Sequence, residues 1–466
     1  MPRFLPLLLA GVSLAGCTVG PDYQRPTPPG ATAAAWAEPG TPGPVDLAWW
    51  DRFGDAQLSA LVARAIADGP DLAEAEARLA EARANRDAVA GARLPSLTAT
   101  GSATETVLSR NGQLPVGQIP GFQREFRLFD GGFDASWEID LWGRRVREGQ
   151  AAAAREEAAL FARRDVMLSL IAEVARNYLD LRTAQASAAT ARATADADAE
   201  LARLTRLRRD AGEASQLEAE TAEGAARTSA AAVPDAEAAA TAAAYRIATL
   251  VGSTPEEVGA TLRAPAPLPA SPDEILVGVR SELLERRPDV RRAERELAAA
   301  TADIGVATAD LFPRFSLLGG IGQQARTPGD LFSGGSTRLQ IGPSLSWPVF
   351  SGGTIRAQIR GADARGQGAA ARYEKAVLGA LSDSETAINR FVNARNAALE
   401  AGAALARERA AFALAERRVA SGEDDRLALA RGRKSVLAAE RRESDAAGRK
   451  AQAAVALFKA LGGGWG

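Results

Sequence analysis

Apolar and polar positions alternate strictly in four short stretches of this chain and recur with helical spacing over most of the rest. From Leu97 to Val107, Leu97, Ala99, Gly101, Ala103 and Val107 share one face. Thr98, Thr100, Ser102, Thr104 and Thr106 share the other, and Glu105 is the one misfit. Phe133, Ala135, Trp137, Ile139 and Leu141 alternate with Asp134, Ser136, Glu138 and Asp140. Phe315, Leu317, Gly319 and Ile321 repeat the pattern, as do Leu339, Ile341, Leu345, Trp347 and Val349 against Gln340, Gly342, Ser344, Ser346 and Pro348. A period of two gives a strand one apolar and one polar face. The pattern places strands at 95–108, 126–142, 313–324 and 338–350.

The helical pattern is long. Arg144 to Asp210 contains no Pro and no turn cluster, so about 67 residues form roughly 100 Å of helix at 1.5 Å per residue. Leu160, Met167, Val174 and Leu181 recur every seven residues beside Ile171 and Tyr178, as in a coiled-coil seam. A second run, Thr354 to Ala420, carries Val377, Phe391, Leu405 and Phe412 in one row and Leu381 and Ile388 in another. Each run ends at a glycine. Gly212 precedes Ser215-Gln216-Leu217-Glu218, a capping box that opens a new helix. Gly422 precedes Asp424-Asp425-Arg426-Leu427, with Asp as the cap. Two long hairpins follow, 144–252 and 354–460, with tips near 212 and 422 and far from the strands. Asp55 reads as an N-cap ahead of Leu58, Leu61, Val62 and Ala65. Ser271-Pro272-Asp273-Glu274 reads as the start of another helix, with Pro in its first turn.

The two halves are copies. Pro70-Asp71 with Leu72 and Leu79 reappears as Pro288-Asp289 with Val290 and Leu297, an offset of 218 (288 − 70). Leu94-Pro95-Ser96-Leu97 falls on Phe312-Pro313-Arg314-Phe315 at the same offset, and Gly212 on Gly422 at 210 (422 − 212). The expected organisation is a first repeat at 49–264, a connector at 265–286 and a second repeat at 287–466. The fold class is mainly α with membrane β.

Four amphipathic strands pose a problem. A soluble sandwich needs a second sheet against the apolar face, and the chain has no further strands. In an outer-membrane barrel the apolar face meets lipid and the polar face water. Trp137, Trp142, Trp347 and Phe350 lie toward the strand ends, as interfacial aromatics do. About eight strands is the least that closes a barrel, and open edges are not tolerated in lipid. Several chains must therefore share one barrel.

The N-terminus supports this destination. Met1-Pro2-Arg3 and the short apolar run Phe4–Leu14 read as a signal peptide over 1–16. Leu14-Ala15-Gly16-Cys17 resembles a bacterial lipobox, which makes Cys17 the lipidation site. Thr18 rather than Asp follows, which favours the outer membrane. Residues 17–48 are rich in Pro, Ala and Gly and should run extended over the surface.

Composition then removes alternatives. There is no His and one Cys, which excludes Cys/His zinc sites and His-dependent nucleophiles. No cofactor or metal is expected, and the chain is not read as an enzyme. A net charge of −2 argues against nucleic acid.

Together these features resemble the TolC-like outer-membrane efflux factors, in their lipoprotein (OprM/NodT-type) branch. The resemblance rests on Cys17-Thr18-Val19-Gly20-Pro21-Asp22-Tyr23, Trp49-Trp50-Asp51-Arg52-Phe53 and Asp140-Leu141-Trp142-Gly143-Arg144. Arg287-Pro288-Asp289-Val290-Arg291, Leu461-Gly462-Gly463-Gly464-Trp465 and the paired tips complete it. It implies a homotrimer with a twelve-stranded β-barrel in outer-membrane lipid and an α-helical barrel through the periplasm. It implies the passive exit duct of a tripartite pump, fed by an inner-membrane RND-type transporter through a periplasmic adaptor. The exit duct of a type I protein secretion system and a structural envelope-spanning lipoprotein are the competing readings.

By the same resemblance Arg208, Gly212, Ser215 and Leu217, with Arg418, Gly422 and Leu427, meet the adaptor. One departure concerns the mouth. Many relatives carry an Asp nine residues after the second tip glycine, whereas this chain has Arg431. The gate is therefore expected in polar contacts of Arg208, Arg418, Arg426 and Arg431 with Glu213, Glu218, Asp424 and Asp425.

Overall fold

A computed structural model describes residues 18–27, 36–38, 40–109 and 121–465. The signal peptide and Cys17 lie outside the described residues. The chain divides into two compact units: Met1–Arg25, Ala80–Ala158 and Glu294–Arg372 form one, and Pro26–Leu79, Ala159–Ala293 and Tyr373–Gly466 the other.

The duplication is exact in length for most elements. Helix α2, Pro70–Gly91, and helix α7, Pro288–Ala309, each have 22 residues. Strands β1, Ser96–Val107, and β3, Arg314–Ala325, each have 12. Helices α3, Arg144–Asp210, and α8, Thr354–Ala420, each have 67, and α4, Gln216–Leu250, and α9, Arg426–Ala460, each have 35. Only the second strands differ: β2, Glu125–Ile139, has 15 residues and β4, Thr337–Ser346, has 10. Helices α1, Ala56–Asp68, α5, Pro255–Leu262, and α6, Arg280–Arg286, have no counterpart among these pairs.

In the first unit the four strands form one antiparallel sheet in the order β1-β2-β3-β4. Strand β4 stops at Ser346 rather than running to 350. Pro348 offers no backbone N–H to a ladder, and Val349 donates back to Trp347 in a turn. Likewise β2 ends at Ile139, where Leu141 donates to Ile139 and Gly143 takes φ 73° to turn the chain into α3.

The strap after Cys17 is built into this unit. Val19 N–H donates to the Trp142 carbonyl. Arg147, 2% exposed, donates to the Val19 and Gly20 carbonyls and to Asp22 at 2.8 Å. Gly20 passes so close to Gly305 that a Cβ would lie 2.4 Å from its Cα. Tyr23 donates to the buried Glu294 at 2.9 Å, and Trp142 stacks on Phe312. The signature residues near 20 and 142 are thus one interlocked joint.

The second unit has its core where chain start and chain end meet. Trp49 is fully buried, stacks on Phe458 at 5.2 Å, and donates from Nε1 to the Gly463 carbonyl. Asp55 caps α1 by accepting from Gln57 and Leu58, and also accepts from Tyr178 Oη. Burial pushes the Tyr178 phenol up to about 12, an effect its bond to Asp55 reinforces. The seam residues Ile171, Val174, Tyr178 and Leu181 of α3, and Val377 and Ile388 of α8, are all buried.

Two expectations need correction here. No helix starts at Ser271-Pro272; residues 271–279 are not helical and the helix begins at Arg280. Tertiary contacts override the local capping pattern. Lys450 Nζ binds the Ser271 carbonyl and Asp273, and Val277 N–H donates to the Thr41 carbonyl. The segment before Trp49 is also more than a surface run. Val45 is buried, and Trp36 Nε1 donates to the Gly278 carbonyl at 2.9 Å.

Candidate functional site: an amphipathic sheet and two hairpin tips

The sheet register aligns the alternation of all four strands. Leu97 pairs with Ala135, Ala135 with Gly319, and Gly319 with Ile341, so one face is apolar across the sheet. Thr98, Asp134, Gly320 and Gln340 make the matching polar row. The apolar face is bare: Leu97, Leu339 and Ile341 are 70%, 73% and 75% exposed. At strand ends the repeats place tryptophan alike. Trp137 Nε1 donates to the Arg93 carbonyl, and Trp347 Nε1 to the Leu311 carbonyl. Such rings present an apolar body with a satisfied N–H, the form favoured at a lipid–water boundary. Among the described residues no helix is long and apolar enough to cross a membrane.

The tips are also alike. Gly212 takes φ 77° and Gly422 φ 79°. Glu213 N–H returns to the Arg208 carbonyl and Gly212 N–H to Arg209; Glu423 returns to Arg418 and Gly422 to Val419. This is a Schellman closure, which needs a left-handed residue after the helix. Ser215 and Glu218 form a complete capping box on α4. Asp425 caps α9 by accepting from Ala428 at 2.7 Å.

Known proteins resemble this chain in sequence and in fold. The family model described as outer membrane efflux protein matches twice, over residues 61–253 and 279–463. The chain belongs to the outer membrane efflux protein family. The pyoverdine export outer membrane protein OpmQ of Pseudomonas aeruginosa is 31% identical, with 90% of this chain and 87% of that protein covered. The outer membrane protein OprJ of the same species is 31% identical over 98% of this chain and 95% of its own length. A solved structure of the outer-membrane channel OprN superposes with a TM-score of 0.85 at 38% identity, covering 96% of this chain and all of that one. The protein is accordingly an outer-membrane efflux channel that extends into the periplasm, with the two family matches as its two repeats. Its family consists of channels rather than enzymes.

Within the efflux channel the expected tip residues take different roles. Arg208 lies 3.8 Å from Glu213, and Arg418 Nε donates to Asp424 at 2.7 Å. Both pairs close a single tip on itself. Glu218 is engaged by its capping box. The Ser215 backbone N–H, followed by the Ser215 hydroxyl, Arg208 and Arg431, holds its carboxyl below the usual range. Arg426 and Arg431 make no ion pair among the described residues. Leu217 and Leu427 occupy equivalent positions but differ: Leu217 is 76% exposed and Leu427 is 6% exposed.

Near the tips, sequence reasoning missed an ion pair on a buried carboxylate. Asp198 on α3, 5% exposed at its side chain, binds Lys434 Nζ on α9 at 2.7 Å. This joins the two hairpins, which none of the expected charged residues does by an ion pair among the described residues. A carboxylate in an Ala-rich seam was the available signal, but its partner is 236 residues away.

Proposed function

We propose that three copies of this efflux channel pool their strands into a twelve-stranded barrel and serve as the exit duct of a tripartite pump. The carrying observation is the sheet itself: its apolar face is bare and, among the described residues, its edge strands, β1 and β4, each pair with a single neighbour. Unpaired backbone groups cost several kcal/mol each in lipid. Closure by copies of the same chain satisfies them, and three copies give twelve strands, above the practical minimum of about eight.

Cys17 carries acyl chains, contributing about 0.8 kcal/mol per buried methylene. The strap at Val19–Tyr23 supports this role by fixing the chain directly after the anchor. The two tips meet a periplasmic adaptor, with the exposed Leu217 as the apolar contact. An inner-membrane RND-type transporter supplies the energy. The cargo is small molecules, in keeping with the role of the relative OpmQ in pyoverdine export. Rest closure of the periplasmic mouth draws on the Asp198–Lys434 contact, with the charges of Arg426 and Arg431 attracting Glu200 and Glu218 of the first hairpin.

The test is deletion in the native host followed by a panel of dyes, detergents and antibiotics. Lower tolerance to several small molecules, restored by the intact gene, is the expected result. Unchanged tolerance with loss of a secreted protein supports the secretion reading instead.

A further inference from the structure

On the polar face of the sheet, charged side chains from two strands meet over a floor of glycine. Arg338 stands on β4 opposite Gly322 of β3, and Gly322 is paired with Gly132 of β2. The guanidinium crosses β3 where there is no side chain and reaches Asp130 on β2. Nε donates to one carboxylate oxygen at 3.1 Å and Nη2 to the other at 2.9 Å. Such a fork fixes the plane of the guanidinium. Gln324 Nε2 adds a bond to Asp130 at 2.8 Å. Farther along β2, Asp134 accepts from Thr100 Oγ1 at 3.0 Å and lies 4.0 Å from Arg338.

The glycines make this arrangement flat. A Cβ on Gly322 would sit 2.7 Å from the Gly131 carbonyl oxygen and 3.3 Å from Arg338 Nε. One on Gly320 would sit 2.9 Å from Asp134 Oδ1. Without them the charged groups would be lifted off the sheet into the space above it. The charges do not balance: two carboxylates face one guanidinium. Asp130 takes the fork and is 18% exposed, whereas Asp134 is 48% exposed.

We propose that Asp134, beside the Arg338–Asp130 fork, is a charge-selecting residue of the barrel lumen, favouring cationic over anionic solutes. This rests on the reading of the polar face as the wall of a shared water-filled duct. In that assembly the symmetry repeats Asp134 around the bore. A charged ring with low-dielectric walls focuses its potential inward, and the effect fades as salt shortens the screening length to about 3 Å at 1 M.

The experiment places a reporter thiol at Gln340, in the same polar row as Asp134 and two strand spacings, or about 10 Å, from it. Intact cells are treated with membrane-impermeant cationic or anionic thiosulfonates, and the ratio of the two labelling rates is measured. In the otherwise native protein the cationic reagent gains relative to a free thiol. Asp134→Asn, which keeps the shape, lowers the ratio about two- to fourfold at low ionic strength, the size a unit charge at that distance gives in water. Arg338→Gln raises it, and 1 M salt removes both differences. Equal ratios in the native and Asp134→Asn backgrounds overturn the proposal. A thiol at Gln340 that labels with neither reagent, while one at Leu339 does, overturns the duct reading beneath it.

Discussion

Replacing Ile341 by Arg tests the facing of the sheet at its most sensitive point. Strand β4 has ten residues, Thr337–Ser346, and Ile341 is near its middle. At about 3.4 Å per residue and a tilt of about 40°, the strand rises roughly 26 Å, close to the apolar band of about 25 Å in such barrels. Ile341 is 75% exposed on the apolar face, so a barrel sets it against the lipid midplane. Arg there costs about 2–4 kcal/mol, and about 6–12 kcal/mol when three chains share the barrel. Ser344→Arg adds the same charge three residues on, but on the polar row with Ser316, where water solvates it. The assay is the yield of folded oligomer in outer membranes, read on semi-native gels without boiling. Ile341→Arg should abolish most of that yield and Ser344→Arg should leave it near native. Equal yields from the two variants would refute the facing assignment.

Other consequences are as specific. Cys17→Ser should abolish acylation while the barrel still inserts; mass spectrometry showing an unmodified Cys17 in the native mature protein would remove the anchor. Trp49→Ala empties a fully buried site stacked on Phe458 and should cost about 3–5 kcal/mol, seen as earlier loss of helical circular dichroism on heating. Because the folded state lowers the Glu218 carboxyl, chiefly through the Ser215 N–H, its contribution is present at neutral pH. It disappears as pH falls through the lowered value. The gap in melting temperature between native protein and Glu218→Gln should therefore shrink in acid; a gap independent of pH would contradict it.

Much of this was legible in the sequence because it is periodic or local. A two-residue period names strand faces whatever they pack against. The tip glycines announce themselves because a left-handed residue must follow each helix, and Gly212 and Gly422 supply it at matching sites. What stayed hidden depends on distant partners. Ser271-Pro272 looks like a helix start until Lys450 binds the Ser271 carbonyl and Thr41 binds Val277, and the segment stays non-helical. Leu217 and Leu427 match in sequence, yet only the second is buried. The Arg338–Asp130 fork needs a register between residues 208 apart in the chain. The strap at Gly20 needs Gly305 to leave it room.

Shared closure of the barrel is the central claim, and cross-linking of the sheet edges tests it most directly. Within one chain β1 and β4 lie at opposite edges, three strand spacings or about 14 Å apart. Cysteines scanned along Thr98–Thr104 of β1 and Leu339–Leu345 of β4 should therefore form disulfides only between chains. The account predicts a covalent ladder in outer membranes that ends at three chains, while a cysteine pair at Thr98 and Asp134 bonds within one. No inter-chain product at any register, with the internal control bonded, would contradict it.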